Sequence, residues 1–160
     1  MLQDLRLHTM QRNLGLPPID QLGFVVQDMD RALEEYGALF GDFHVLTITL
    51  TGTKHRGREV SPTIRNAFGR SGSLEIELIQ PAGGEGPHSE FLDRHGEGLH
   101  HIRFVTPDHD KAVKRVSEAG WTPVSWVYVG EYTAVYCDPP GGRTGTMIEL
   151  INRATAPFPR

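Results

Sequence analysis

Two glutamates lie inside apolar segments, where a charged carboxylate is hard to accommodate. Glu77 and Glu149 each occupy the same position of the run IELI, once in each half of the chain. A buried carboxylate is unfavourable unless it is paired with a cation, protonated or bound to a metal. The repeated placement favours a metal, and a buried ion pair with Arg65 or Arg103 is the alternative.

The two halves contain a second pair of matching polar residues. When IDQLGFVV is aligned with LHHIRFVT, Gln21 falls opposite His101, and alignment of the IELI runs places Glu77 opposite Glu149. Because strand side chains alternate between faces, His100 is predicted to point away from His101 and to pack on the outside of the sheet. His101 is therefore the candidate ligand, with His100 as the alternative.

Oxygen from Gln21, Glu77 and Glu149 together with nitrogen from His101 suits one divalent metal, which could be Zn, Ni, Co, Mn or Fe. Four protein ligands leave positions for water or substrate. Such a centre polarises a substrate carbonyl oxygen, and Glu149 or Glu77 could then move a proton at the neighbouring carbon. For Gln21, a hydrogen bond to a ligand in a metal-free pocket is the alternative.

The elements that must position these residues follow the order β-α-β-β-β twice, which indicates an internal duplication. We predict an N-terminal arm over residues 1–18, a first module over 19–80, a linker with a short helix over 81–97, a second module over 98–152 and a tail over 153–160. Within the first module, residues 51–62 are polar and contain glycine, and are predicted to form a mobile loop.

Composition excludes several classes of function. The 160 residues carry a net charge of −4, and no basic cluster stands out, so nucleic acid is not an expected partner. No apolar run is long enough to span a membrane, and no signal peptide is expected, so we expect a cytoplasmic protein. The single cysteine, Cys137, cannot form an intrachain disulfide and is predicted to be a buried, unreactive thiol.

Four neighbouring side chains are candidates for binding substrate. Glu75 shares the strand face of Glu77, and Arg103 shares that of His101. The alternatives for Glu75 are a hydrogen bond that holds a metal ligand or the base in place and a charge at the rim. The alternative for Arg103 is an ion pair with Glu75. Tyr136 and Trp126 are predicted to reach the cleft, with core packing as the alternative. The other histidines are expected at the surface: His44, His55, His88, His95 and His109.

Three segments carry a resemblance to a known family: IELIQP, GPHSEFLDRHGEGLHHIRF and GGRTGTMIELI. Over about residues 19–152 the chain resembles the vicinal oxygen chelate superfamily, which includes glyoxalase I, methylmalonyl-CoA epimerase, extradiol dioxygenases and bleomycin-resistance proteins. The resemblance implies an α+β fold in which two tandem βαβββ modules form a curved mixed sheet around a metal cleft. It also implies a homodimer, with Gln21, Glu77, His101 and Glu149 as the metal ligands.

The sequence departs from the epimerase branch at one of these positions. That branch carries histidine in a motif similar to DHIG, whereas this chain has DQLG at Gln21. Glyoxalase I of the eukaryotic type carries Gln, Glu, His and Glu in the same order. Extradiol dioxygenases use two histidines and one glutamate, which this set does not match.

The resemblance implies a metal-dependent isomerase, epimerase or lyase. The expected substrate is an acyl-CoA thioester, a thiol adduct or another carbonyl compound, and Lys54, His55, Arg56 and Arg58 could close over the cleft to meet an anionic one. An ordinary solvated loop is the alternative for these four residues. The alternative functions are a binding or resistance protein without catalysis and a dioxygenase.

Overall fold

A ten-stranded sheet carries the fold of residues 13–152, the part of the chain that the computed structural model describes. The strands are β1 (Gln21–Val25), β2 (His44–Thr49), β3 (Thr53–His55), β4 (Arg58–Val60), β5 (Thr63–Ser71), β6 (Leu74–Gly83), β7 (Gly98–Val105), β8 (Thr122–Val129), β9 (Tyr132–Asp138) and β10 (Met147–Ile151). Three helices accompany them within the same residues: α1 (Met29–Phe40), α2 (Pro87–His95) and α3 (His109–Glu118).

The sheet has the same strand order in both halves, running outward from its centre. Its order is β2-β5-β6-β1-β7-β10-β9-β8-β3-β4. Strands β1 and β7 pair antiparallel in the middle, β6 lies parallel to β1, and β10 lies parallel to β7. The predicted α+β fold, with two tandem βαβββ modules in one curved mixed sheet, is confirmed.

The prediction of a loop over residues 51–62 is wrong. These residues contain the hairpin of β3 and β4, and β3 pairs with β8 at the far edge of the second half. Three-residue strands are too short to show an alternating pattern that sets them apart from a loop. Their partner strand is also remote in sequence. The hairpin therefore carries a part of the first half across to the second.

Local signals set the helix boundaries. The Asp28 carboxylate accepts from the backbone N–H groups of Asp30 and Arg31 at the start of α1, and Gly41 ends the helix with a φ of 82°. Asp108 caps α3 in the same way through the N–H of Lys111. None of the helices in residues 13–152 is long and apolar enough to cross a membrane.

The buried apolar residues form three clusters. One fills the inside of the curved sheet and includes Val25, Ile79, Val127 and Ile151. The second lies beneath α1, and the third lies beneath α3. Helix α2 contributes Phe91 to the first cluster, so this helix covers the inner face beside the central strands.

The predicted arm and tail lie largely outside the described residues, which begin at 13 and end at 152. The described end of the arm packs on the second half of the chain. Leu14 and Leu16 lie against the cluster beneath α3, and Arg115 donates to the Leu14 carbonyl at 2.8 Å. Strand β6 continues to Gly83, beyond the predicted boundary at residue 80.

Candidate metal centre

Four neighbouring strands bring Gln21, Glu77, His101 and Glu149 together. The order β6-β1-β7-β10 places one of these residues on each strand, and all four side chains are buried. The Nε2 atom of His101 lies 2.9 Å from Gln21 Oε1, 3.4 Å from Glu77 Oε2 and 3.2 Å from Glu149 Oε2. The imidazole nitrogen is thus surrounded by an oxygen atom from each of the other three residues.

The donor set fits a divalent ion in its chemistry. Ligands bonded to one ion at about 2.1 Å lie about 3.0 to 3.4 Å from one another, and the three contacts of His101 Nε2 are 2.9, 3.2 and 3.4 Å long. Glu149 Oε2 is buried and contacts His101 Nε2 at 3.2 Å, with no further hydrogen-bond partner in residues 13–152, so it has room to accept from one more partner. Within residues 13–152 no group of three or more His, Cys, Asp or Glu side chains is already arranged to hold a metal ion, so the four side chains would have to move apart to admit one.

A bulge in β7 decides how the two histidines are placed. Gly23 pairs with His101 and Phe24 pairs with Leu99, so His100 is an extra residue in β7. A bulge interrupts the alternation of side chains. The expectation that His100 lies on the outside of the sheet is therefore wrong: it is fully buried, and its Nδ1 lies 2.9 Å from His101 Nδ1.

The contact between His100 Nδ1 and His101 Nδ1 orients the His101 ring. One Nδ1 must donate and the other accept, and burial first, then the neighbouring histidines, hold the pKa of His100 well below its ordinary value. A neutral His100 that accepts at Nδ1 leaves the proton of His101 on Nδ1. When His101 loses its other proton, from Nε2, that nitrogen carries the lone pair that a metal needs.

Gly23 makes room for the His101 ring, a requirement that the sequence analysis missed. A Cβ atom on Gly23 would lie 2.0 Å from His101 Cε1 and 2.4 Å from His101 Nε2. Only glycine leaves this space next to the donors. An isolated glycine within an apolar strand signals a bulge or a close approach of this kind, so the signal was present in DQLGFVV.

Glu75 and Arg103 form the support beneath Gln21. Gln21 Nε2 donates to Glu75 Oε1 at 2.8 Å, which turns the amide oxygen towards His101. Arg103 donates to both carboxylate oxygens of Asp20, at 2.9 and 2.8 Å, and to Glu75 Oε1 at 3.2 Å. The ion pair with Glu75 that the sequence offered as the alternative for Arg103 is thus present.

The two glutamates of the centre differ in acidity. Burial raises the pKa of Glu77, and its interaction with His101 offsets this only in part. Burial also acts to raise the pKa of Glu149, but the charge and hydrogen bond of His101, followed by Arg103, lower it overall. For His101, burial favours the neutral form, yet the two carboxylates outweigh it and raise its pKa to about 9. Without a metal, His101 is therefore a cation held by Glu149.

A cleft on the inner face of the sheet opens onto this centre. It includes a cavity of about 40 Å³, which has room for water or an ion. Apart from the polar residues its wall is largely apolar, with Ile48, Leu50, Ile64, Val127, Val129 and Ala134. Tyr136 also lines the cleft, with its ring centroid 5.3 Å from that of His101, and its hydroxyl interacts with Glu149.

Trp126 is not brought to the cleft. It packs with Val135 and Cys137 in the cluster beneath α3. The pairing of β8 with β9 shifts between Pro123 and Ser125, and Val127 faces the cleft instead. The core-packing alternative thus describes the placement of Trp126. Cys137 is buried as predicted, and burial raises the pKa of its thiol to about 12.

Two histidines expected at the surface are buried. The ring of His55 lies between Ser125 Oγ, 2.6 Å from Nδ1, and Glu90 Oε2. His88 is the second residue of α2, and it lines the cleft. Their polar sequence surroundings suggested exposure, because the strands and the helix that cover them lie far away in sequence.

The cations of the β3–β4 hairpin are paired with carboxylates. Lys54 contacts Glu59, Arg58 contacts Glu85, and Arg56 donates to both Glu90 and Asp138. The Arg56 pairs tie the hairpin to α2 and to the end of β9. Contact of these residues with an anionic substrate stays a prediction.

Comparison with known proteins gives a short match to a curated relative. A curated relative from Bacillus subtilis, the uncharacterized protein YqjC, is 46% identical over 39 residues; the match covers 24% of this chain and 28% of that relative's length.

Two solved structures share the fold. Methylmalonyl-CoA epimerase from Mycobacterium tuberculosis aligns with a TM-score of 0.58 at 22% identity, covering 90% of this chain and 92% of that one. A variant of methylmalonyl-CoA epimerase from Streptomyces coelicolor, in complex with 2-nitronate-propionyl-CoA, aligns with a TM-score of 0.55 at 25% identity, covering 90% and 99%. The family model of the Glyoxalase/Bleomycin resistance protein/Dioxygenase superfamily matches residues 20–136. The chain belongs to this superfamily.

Proposed function

We propose that this protein is a divalent-metal-dependent enzyme that moves a proton at a carbon next to a carbonyl group. The observation that carries the proposal is the convergence of Gln21, Glu77, His101 and Glu149 on one buried point beside a cleft. These four residues would hold the metal. When bound, a divalent metal supplies a Lewis acid for the carbonyl oxygen of the substrate.

The opposite pKa shifts of the two glutamates favour separate roles. Glu149 stays ionised, because His101 and Arg103 lower its pKa against the effect of burial. It is therefore the proposed base that takes the proton from carbon. Burial raises the pKa of Glu77 in the metal-free protein, so Glu77 is the carboxyl group that would more readily leave the metal and take up a proton, and it is the proposed acid that returns one. Two carboxyl groups whose surroundings push their pKa values apart commonly divide acid and base roles in this way.

Other side chains position the Glu149 carboxylate and keep water away from the reaction. The hydroxyl of Tyr136 interacts with Glu149 and limits the directions in which the carboxylate can turn. The apolar wall of the cleft, including Leu50 and Val127, excludes water from the reacting carbon. Asn66 Nδ2 donates to Glu77 Oε1 at 2.7 Å and so orients the proposed acid.

The proposed substrate is an acyl-CoA thioester, as in the two methylmalonyl-CoA epimerases that share the fold. Glutamine at position 21 leaves a thiol adduct of a 2-oxoaldehyde as the second class to be tested, since glyoxalase I of the eukaryotic type carries Gln, Glu, His and Glu in this order. We also expect a homodimer, which gel filtration with light scattering measures directly.

The first experiment measures the metal content of the purified protein after exposure to Zn, Ni, Co, Mn and Fe(II) in turn. We expect about one ion per chain and its loss in His101→Ala. His95→Ala is the matched control, because His95 is exposed at the end of α2 and touches none of the four donors. Wild-type protein that takes up none of the five metals would contradict the proposal and favour a binding protein without catalysis.

The second experiment measures exchange of the C2 proton of propionyl-CoA and methylmalonyl-CoA with D₂O by NMR. We expect exchange with metal-loaded wild-type protein and a loss of about 100-fold or more in Glu149→Gln. In Glu77→Gln, Glu149 can still take the proton and return a deuteron to the same face of the carbon, so epimerisation should fall more than exchange. Metal-loaded protein that exchanges no proton on either thioester or on the 2-oxoaldehyde–thiol adduct would refute the assigned reaction.

A further inference from the structure

His88 is a buried polar side chain whose ring nitrogens have no hydrogen-bond partner in the described part of the chain. The residue is 2% exposed, yet neither Nδ1 nor Nε2 has a hydrogen-bond partner within residues 13–152. Nearly all buried polar atoms in proteins are hydrogen bonded, and an unpaired one costs free energy. An imidazole with both nitrogens unpaired therefore points to a partner that is not part of the described chain.

The position of His88 shows where that partner lies. His88 lines the same cleft as Glu77, Glu149 and Tyr136. Its ring packs against those of His100 and Tyr136, with centroid distances of 4.7 and 5.6 Å. These contacts fix the plane of the ring, so the nitrogens are held in place before any ligand arrives.

The helix that carries His88 also holds it rigidly. Pro87 begins α2, Gly86 caps it, and Phe91 anchors the helix in the inner apolar cluster. The Ser89 hydroxyl accepts from the Gly86 N–H at 3.0 Å and closes the first turn. A hydrogen-bonding group on a rigid element has little conformational freedom to lose on binding, which favours affinity.

We propose that His88 binds an oxygen atom of the substrate in the cleft, beside the four donors and not as one of them. The inference rests on the proposed function and names the residue that recognises a second oxygen on the acyl group. A neutral imidazole can donate one hydrogen bond and accept another. It therefore selects carbonyl compounds whose acyl group bears such an oxygen over those with a plain alkyl group.

Burial keeps His88 in the neutral form that this role requires. Removal from water lowers its pKa to about 3, and the charge of His101 acts in the same direction. Glu149 opposes the shift without reversing it. At neutral pH the ring is thus an uncharged donor and acceptor, which keeps a further positive charge away from the proposed base.

The test compares two thioesters that differ in oxygen content. The probes are 2-nitropropionyl-CoA, whose nitronate form carries additional oxygens, and propionyl-CoA, which lacks them. Calorimetry gives the affinity of each for metal-loaded wild type and His88→Phe. We expect His88→Phe to bind the nitro compound about 10-fold more weakly or worse, and to bind propionyl-CoA nearly as well as wild type.

Three further measurements separate this role from a structural one. His88→Phe should keep its metal and be at least as stable to urea as wild type, since it removes an unpaired buried polar group. Asn and Gln at position 88 place an amide near Nδ1 and Nε2 respectively, and one of them should restore binding. His95→Phe, on the same helix but exposed, is the matched control.

The outcomes distinguish the inference from the proposed function. Wild-type protein that takes up no metal or binds neither thioester overturns both. Wild-type protein that binds the nitro compound with its metal, while His88→Phe binds it equally well, overturns the role of His88 alone. In that case buried water is the partner of the ring. If His88→Phe lost affinity for both thioesters, that result would likewise contradict recognition of the second oxygen.

Discussion

Substitution of Gly23 by alanine tests whether the centre depends on the close approach of two strands. The added Cβ would lie 2.0, 2.4 and 2.6 Å from His101 Cε1, Nε2 and Nδ1. Ordinary contacts between such atoms are about 3.5 to 4.0 Å, so the ring or the strand must move by about 1 Å or more. Metal–ligand distances tolerate only about 0.2 Å. We therefore expect Gly23→Ala to lose most of its metal.

The same clash should destabilise the fold. Overpacking of a filled core costs about 1–3 kcal/mol, and urea unfolding of the metal-free protein measures this loss. Gly83→Ala is the matched control, since Gly83 is also a strand glycine and its added Cβ would meet only Thr63 Cβ, at 3.9 Å. In this control we expect no loss of metal and little change in the free energy of unfolding.

A double-mutant cycle that combines Gly23→Ala with His101→Ala isolates the contact between the added methyl group and the His101 ring. Removal of the imidazole in His101→Ala leaves space for the new methyl group, so Gly23→Ala should cost much less in that background. The expected coupling is about 1–3 kcal/mol. Gly23→Ala protein that binds metal as tightly as wild type, or a cycle with no coupling, would refute the argument that Gly23 is required for the position of His101.

Three further predictions concern the surroundings of the centre. Because the folded protein raises the pKa of His101 from 6.5 to about 9, protonation stabilises the metal-free fold fully below pH 6.5, and this contribution is lost as the pH rises through about 9. Metal must displace this proton, so competition with a chelator should show the affinity rising about tenfold per pH unit from 7 to 9; an affinity independent of pH would contradict this. Replacement of Arg103 by methionine leaves Glu75 without its cation and should lower the free energy of unfolding in urea by about 3 kcal/mol. It should also lower the metal content. Unchanged stability would argue against the role of Glu75 and Arg103 in positioning Gln21. Tyr136→Phe should slow C2 proton exchange, whereas Trp126→Phe should not, and the reverse result would place Trp126 in the cleft.

The fold could be predicted from the sequence because its main elements are regular. The repeated IELI run and the alternation of apolar residues aligned the two halves, and a shared strand order then followed. The convergence of Gln21 with His101 depends on the same regularity. Their strands pair at the centre of the sheet, so positions that match in sequence become neighbours in space.

What the sequence did not reveal depends on irregular backbone and remote partners. A bulge turns His100 towards His101, and a shift in the pairing of β8 leaves Trp126 on the side of α3. Neither irregularity has a local signal as strong as the alternation that it interrupts. His88 and His55 are covered by elements far away in sequence, so their polar neighbours in the chain indicated exposure instead of burial.

The tandem order of the halves has an evolutionary consequence. Each half supplies two of the four donors, and the halves meet along the pairing of β1 with β7. In an assembly of two identical single modules, any change of one donor would appear twice, and the two sides of the cleft would always match. Fusion into one chain removes that constraint, so Gln21 can differ from His101 while Glu77 and Glu149 stay alike. One polypeptide can thereby present unlike chemistry to the two faces of a single bound molecule.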